Sequence, residues 1–186
     1  MTVYTKIGAH NRSTGAMTDN RKRKVRRFPQ GVGYIVPMPR DLLMSPAWLS
    51  MSSQCRKFID ALMVEYADHG GLENGNLKAP YDMLQARGMR RETILDVVTE
   101  AKALGIVDPT RGQRSYGSRK SPSVYRLTWL ATSEGLAPTN EWKAIKTDVE
   151  AEARMTSARH GLERERVASR ARRAEYAARR AAGRAA

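Results

Sequence analysis

Apolar residues at positions 94, 97, 98, 101 and 104 (Ile94, Val97, Val98, Ala101, Leu104) recur at i, i+3, i+4, i+7 spacing. That spacing predicts one buried face of an α-helix. The helix is expected to begin near Arg90 or Arg91 and to stop at Gly105. Just before it, residues 80–87 predict a shorter helix, with Pro80 in the first turn, where its missing N–H costs nothing. Gly88 follows, the residue that most easily turns left-handed after a helix end. Two helices joined by a glycine turn, the second amphipathic and led by cations, read as a helix-turn-helix.

Upstream, Ser52 or Ser53 is expected to cap a helix running to about Asp68, with Cys55, Phe58, Ile59, Leu62, Met63 and Tyr66 on its apolar stripe. His69-Gly70-Gly71 ends it, and Asn74-Gly75 signals a turn. Residues 40–44 predict a helical turn, and Tyr34-Ile35-Val36 a short strand. Gly31-Val32-Gly33 opens like a dinucleotide fingerprint, but Pro37 and Pro39 forbid the helix that fingerprint needs. Downstream of Gly105 the period shortens to two. Ile106-Val107 predicts a strand ended by Asp108-Pro109, and 124–130 a second strand, regular from Tyr125 onward. Between them lies a loop rich in Arg, Ser and Gly. Strand, basic loop and strand directly after a helix-turn-helix form a wing. The expected fold is therefore mostly α with a small β-hairpin, a winged helix over 37–132. Residues 1–36 read as a flexible basic arm, and 133–186 as a linker and an Ala/Arg/Glu-rich helical or disordered tail. Gly161 is expected to interrupt that tail, whose sparse apolar anchors hold no heptad.

Charge adds a partner to this picture. The 186 residues carry a formal net charge of +14, with a pI near 10.4, and apolar residues make up 41%, enough for a core. Such a balance favours polyanions. The charge is also uneven: residues 1–27 hold eight Lys or Arg against one acid, Asp19. The single cysteine excludes an intramolecular disulfide and a Cys-based zinc site, and three scattered histidines show no ligand spacing. Cys55 reads as a small buried residue. No phosphate-cradling loop, metal cluster or nucleophile set is evident, so no enzyme activity and no cofactor is expected. Nothing resembles a signal peptide or a membrane span, so the expectation is a cytoplasmic, nucleoid-associated protein without a membrane partner.

Several short segments share an order with a known group. They are Pro39 to Leu43, Asn74-Gly75-Asn76-Leu77, Arg87-Gly88-Met89-Arg90-Arg91-Glu92-Thr93-Ile94, Ala103-Leu104-Gly105-Ile106-Val107 and Tyr125-Arg126-Leu127-Thr128. Over about half the chain this order resembles winged-helix proteins of bacterial phages, plasmids and mobile elements. Some of those are transcription regulators and others replication initiators. The resemblance implies sequence-specific binding of double-stranded DNA and does not choose between the roles.

The residues carry that chemistry independently. Arg90 and Arg91 lead the expected recognition helix and suit bidentate contact with guanine O6 and N7. Thr93 suits a phosphate or a thymine methyl. Glu92 and Asp96 point away from the buried stripe and suit cytosine N4, while Glu92 equally serves as a favourable charge at a helix N-terminus. In the loop, Arg111, Gln113, Arg114, Tyr116, Arg119 and Lys120 form a candidate wing tip, or else a solvated hairpin. Arg21, Lys22, Arg23, Lys24, Arg26 and Arg27 suit phosphate or minor-groove contact, or else only raise solubility. The leading expectation is a DNA-binding regulator. A plasmid or phage replication initiator is the alternative, and RNA binding through the Arg-rich tail a second one. Homodimerisation is left open, since such regulators often bind palindromes but no strong dimer helix is seen.

Overall fold

The computed structural model describes residues 35–110 and 123–185, with side chains as far as Arg180. The described residues from Val36 onward belong to one compact unit. Two helical turns open it, α1 (Arg40–Leu43) and α2 (Pro46–Leu49). The Ser45 hydroxyl oxygen accepts the Trp48 N–H at 3.2 Å, and Pro46 takes the first position with no N–H to satisfy. Leu42 and Ala47 are buried beneath these turns. The strand expected at 34–36 is absent at Ile35 and Val36, while Tyr34 lies outside the described residues. Pro37 and Pro39 lack the N–H a ladder requires, and the Pro37 carbonyl instead accepts the Trp129 indole N–H at 3.1 Å.

The main scaffold helix is α3 (Ser53–Asp68), capped by Ser52, whose hydroxyl oxygen accepts the Cys55 N–H at 3.1 Å. The same hydroxyl donates to Glu100 at 3.0 Å, and the Ser52 N–H donates to Glu100 at 2.7 Å. A carboxylate 48 residues away thus completes the cap. Cys55, Phe58, Ile59, Leu62 and Tyr66 are buried on the expected stripe, and Met63 is half-buried at its edge. Burial pushes the Cys55 thiol pKa well up, and the nearby Glu100 adds to the shift.

Strand β1 (Leu77–Lys78) follows, then α4 (Tyr81–Ala86), a 3-10 turn (Arg91–Thr93) and α5 (Ile94–Ala103). Pro80 is the residue before α4 rather than its first helical one, with an extended ψ of 143°. Strands β2 (Val107–Thr110) and β3 (Val124–Leu127) pair antiparallel, with Val107 opposite Leu127 and Thr110 opposite Val124. β1 joins the other side of β3, giving the order β1-β3-β2. The expected hairpin is therefore part of a three-stranded sheet; two residues of β1 are too few to show alternation. β2 runs through Pro109, where an end was expected. It is an edge strand, and an edge position can spare the missing N–H. Tyr125 and Leu127 point inward, and the Tyr125 ring meets Phe58 edge-on at 5.2 Å.

Asn74 is fully buried. Its amide nitrogen reaches the carbonyls of Leu127 and Leu130 at 2.9 Å and of Ala131 at 3.1 Å, and its oxygen accepts the Leu127 N–H at 2.7 Å. The turn signal at 74–75 is thus also the clamp between the α3–β1 connection and the end of β3.

The segment expected as linker and tail enters the core. Trp142 and Ile145, in and just after the 3-10 turn Glu141–Ala144, are buried, and so are Ala151, Met155 and Leu162 of α6 (Asp148–Ala185). The anchors look sparse in sequence because they lie on one face of a long helix that packs on one side only. Gly161 does not interrupt α6. A single glycine costs only about 1 kcal/mol against alanine, which the surrounding Ala, Arg and Glu and the buried Leu162 offset. The structure is thus mostly helical with a small antiparallel sheet.

Two glycines separate backbone need from packing need. Gly88 and Gly105 both take positive φ, +80° and +67°. A Cβ at Gly88 meets only the Lys57 ammonium at 4.0 Å, whereas one at Gly105 meets backbone atoms of Glu141 and Trp142 at 2.8 Å. Gly88→Ala is expected to cost about 1 kcal/mol from conformation alone. Gly105→Ala should cost about 3 kcal/mol or more from strain and overpacking together. Urea unfolding of both variants checks the ranking. Cys55 should resist alkylation in the native protein at neutral pH and react once urea unfolds it, because burial disfavours the thiolate; mass spectrometry reads this directly.

Candidate nucleic-acid interface

The turn between α4 and α5 gathers the cations. Gly88 turns left-handed, and Met89, 3% exposed, plugs back into the core with its N–H on the Leu84 carbonyl at 3.1 Å. The next residue, Arg90, is extended and exposed. Thr93 closes the 3-10 turn by donating its hydroxyl to the Arg90 carbonyl at 2.9 Å. Arg91 and Glu92 stand exposed on that turn. The sequence-expected residues 90–93 thus come together on one lip at the leading end of α5.

Arg91 is not idle there. Its guanidinium donates to Asp82 and to Gln85, each at 3.1 Å, and lies 5.3 Å from the Tyr81 ring centroid. These partners brace the leading end of α5 against α4 while leaving 59% of the Arg91 side chain accessible. Lys57, on the polar side of α3, approaches Gly88, and Arg87, which ends α4, is exposed. Neither was singled out from sequence: Lys57 is separated from the turn by the whole α3–α4 connection, and Arg87 reads only as a helix end.

Asp96 points away from the core stripe as expected, but it meets Arg166 of α6 at 2.9 Å rather than open solvent. The helix α6 starts beside the far end of α5, where Glu141 and Trp142 approach Gly105, and passes Asp96 on its way out. It therefore runs antiparallel along α5. Of residues 94–103, Lys102 alone is exposed. The core takes one side of α5, with Ile94, Val97 and Ala101 buried and Val98 half-buried, and α6 takes another. What α5 leaves free is chiefly its leading end.

Near the base of the β2–β3 pair, Arg126 bridges Asp108 and Glu141 at 3.0 Å each, tying the sheet to the 3-10 turn before α6. The expected wing-tip residues Arg111, Gln113, Arg114, Tyr116, Arg119 and Lys120 lie outside the described residues. So do the arm cations Arg21, Lys22, Arg23, Lys24, Arg26 and Arg27. Among the described residues, no group of three or more His, Cys, Asp or Glu is placed to hold a metal ion, and no helix is long and apolar enough to cross a membrane.

No protein-family model matches this chain, and neither the curated proteins nor the solved structures give a match. The residues and their geometry carry the functional reading.

The Asp96–Arg166 pair is about one-third exposed on both sides, so its contribution is modest. A double-mutant cycle with Asp96→Asn and Arg166→Gln is expected to give a coupling energy of about 0.5–1 kcal/mol in urea unfolding. Coupling near zero would mean that α6 is held on α5 by its apolar contacts alone.

Proposed function

We propose that this chain binds double-stranded DNA with sequence preference, through a winged helix-turn-helix, and acts as a transcriptional regulator. The observation that carries the reading is the order of elements: α3, β1, α4, α5, β2, β3, with β3 central in the sheet and a glycine turn between α4 and α5. In this reading α5 is the recognition helix and the segment between β2 and β3 the wing. The charge of +14 supplies the attraction for phosphate, and the exposed lip at 90–92 supplies groups able to read bases.

The lip defines how the reading would occur. With one flank of α5 on the core and another on α6, the helix enters the major groove by its leading end, as recognition helices commonly do. Arg90, extended and exposed, is the first base reader. Arg91 keeps most of its side chain accessible, and its exposed contacts with Asp82, Gln85 and Tyr81 are weak enough to yield to guanine or phosphate. Glu92 is a candidate acceptor for cytosine N4 and disfavours other bases there. Thr93 keeps its hydroxyl hydrogen on the Arg90 carbonyl and offers its oxygen lone pairs and methyl. Asp96 serves the α5–α6 contact rather than a base.

Selection of preferred sites from a random duplex pool, followed by fluorescence anisotropy, tests the proposal. Arg90→Ala and Arg91→Ala are each expected to lower affinity for the selected site by about 1–3 kcal/mol and to relax preference at one base pair. Variants that bind selected and scrambled duplexes as the parent does would remove these residues from the interface. Genomic binding sites at promoters fit the regulator; clustered repeats at a replication origin would assign the initiator role instead.

A further inference from the structure

One strongly charged surface is not used by the lip. Beyond Arg166, α6 continues for 19 residues, about 28 Å at the helical rise. From Arg170 to Arg180 every residue is exposed, so no packing holds this stretch. Along its first half the inward face of α6 is Ala151, Met155, Ala158, Leu162, Arg166 and Ser169, all buried or half-buried. The same three- and four-residue steps carry that face on to Arg173, Tyr176 and Arg180, with Arg172 and Arg179 beside them. The stripe therefore changes from apolar to cationic where the helix leaves the body.

The direction of exit matters. α6 runs antiparallel to α5 and passes Asp96, in the first turn of α5, at Arg166. Its cationic stretch thus extends beyond the end of α5 that presents Arg90 and Arg91, and keeps the azimuth that faced α5. We infer that residues 172–180 form a second contact for double-stranded DNA, in which Arg172, Arg173, Arg179 and Arg180 lie on the phosphate backbone flanking the site read by the α5 lip. This rests on the DNA-binding reading above.

The chemistry fits phosphates better than bases. Four guanidinium groups within nine residues of one helix form a line of charge, and backbone contact needs no sequence. Among the described residues Arg179 meets Glu175 in an exposed i, i+4 pair at 2.7 Å, a contact weak enough to yield to phosphate. Tyr176, 68% exposed amid these cations, offers a hydroxyl that can donate to a phosphate oxygen. The Ala-rich spacing keeps the helix favourable until the partner arrives.

The test measures binding of the full-length protein to a random-sequence duplex by anisotropy across a salt series. A variant carrying Arg172→Gln, Arg173→Gln, Arg179→Gln and Arg180→Gln is expected to flatten the slope of log K against log salt by about 3.6, the value for roughly four phosphates. Its preference for a selected site over scrambled sequence should persist. The corresponding four Lys substitutions should restore the slope, and far-UV circular dichroism checks that the helix remains. An unchanged slope in the Gln variant, with parental duplex binding intact, overturns this inference alone. Loss of structured-RNA binding with duplex binding untouched also overturns it, by assigning another partner. A parent chain that ignores duplex DNA altogether overturns the DNA-binding reading itself.

Discussion

The close approach at Gly105 is the constraint on which the rest of the structure depends. Three things meet there. α5 ends, and its buried stripe finishes at Leu104. The chain turns left-handed and enters the sheet through Ile106 and Val107, both fully buried. The backbone of Glu141 and Trp142 then occupies the space a side chain at 105 would take. Thr128 fastens the point from the sheet side, its hydroxyl donating to the Gly105 carbonyl at 2.8 Å and its N–H to the Ile106 carbonyl at 3.1 Å. One residue without a Cβ thus lets helix, sheet and C-terminal segment share a corner.

From that corner α6 is launched along α5, and this sets which part of α5 stays exposed. A helix packed on two flanks is rigid and cannot lay its whole length bare. Its leading end is the part chiefly left exposed, and Arg90, Arg91 and Glu92 gather there. Arg91 both braces the turn and projects from it, while Asp96 is committed to holding α6. The division follows from geometry: the side chains nearest the body acquire partners within it, and those on the lip keep their reach.

Buried polar groups specify the arrangement further. Asn74 joins the α3–β1 connection to the end of β3 through the backbone groups of Leu127, Leu130 and Ala131. Glu100 completes the α3 cap from α5. A buried amide or carboxylate is tolerated only where its partners sit in one geometry. These two therefore select this packing over other ways of burying the same apolar stripes. Both join elements far apart in sequence, which ties the turn at 74–75 and the start of α3 to the placement of α5.

Local patterns determined what depends on neighbours in the chain. The stripe of α5, the turn at Gly88, the Ser52 cap and stripe of α3, and the paired strands around the basic loop follow from spacing, propensity and the freedom of glycine. The cationic start of α5 was legible for the same reason. Only the tertiary structure decided matters that depend on distant partners. It made β1 a third strand, kept Pro109 within an edge strand, carried α6 through Gly161 and gave Asp96 to Arg166. A pattern along one segment records which face is apolar, but not what will cover it; that is settled by which surfaces remain when all the segments bury theirs together.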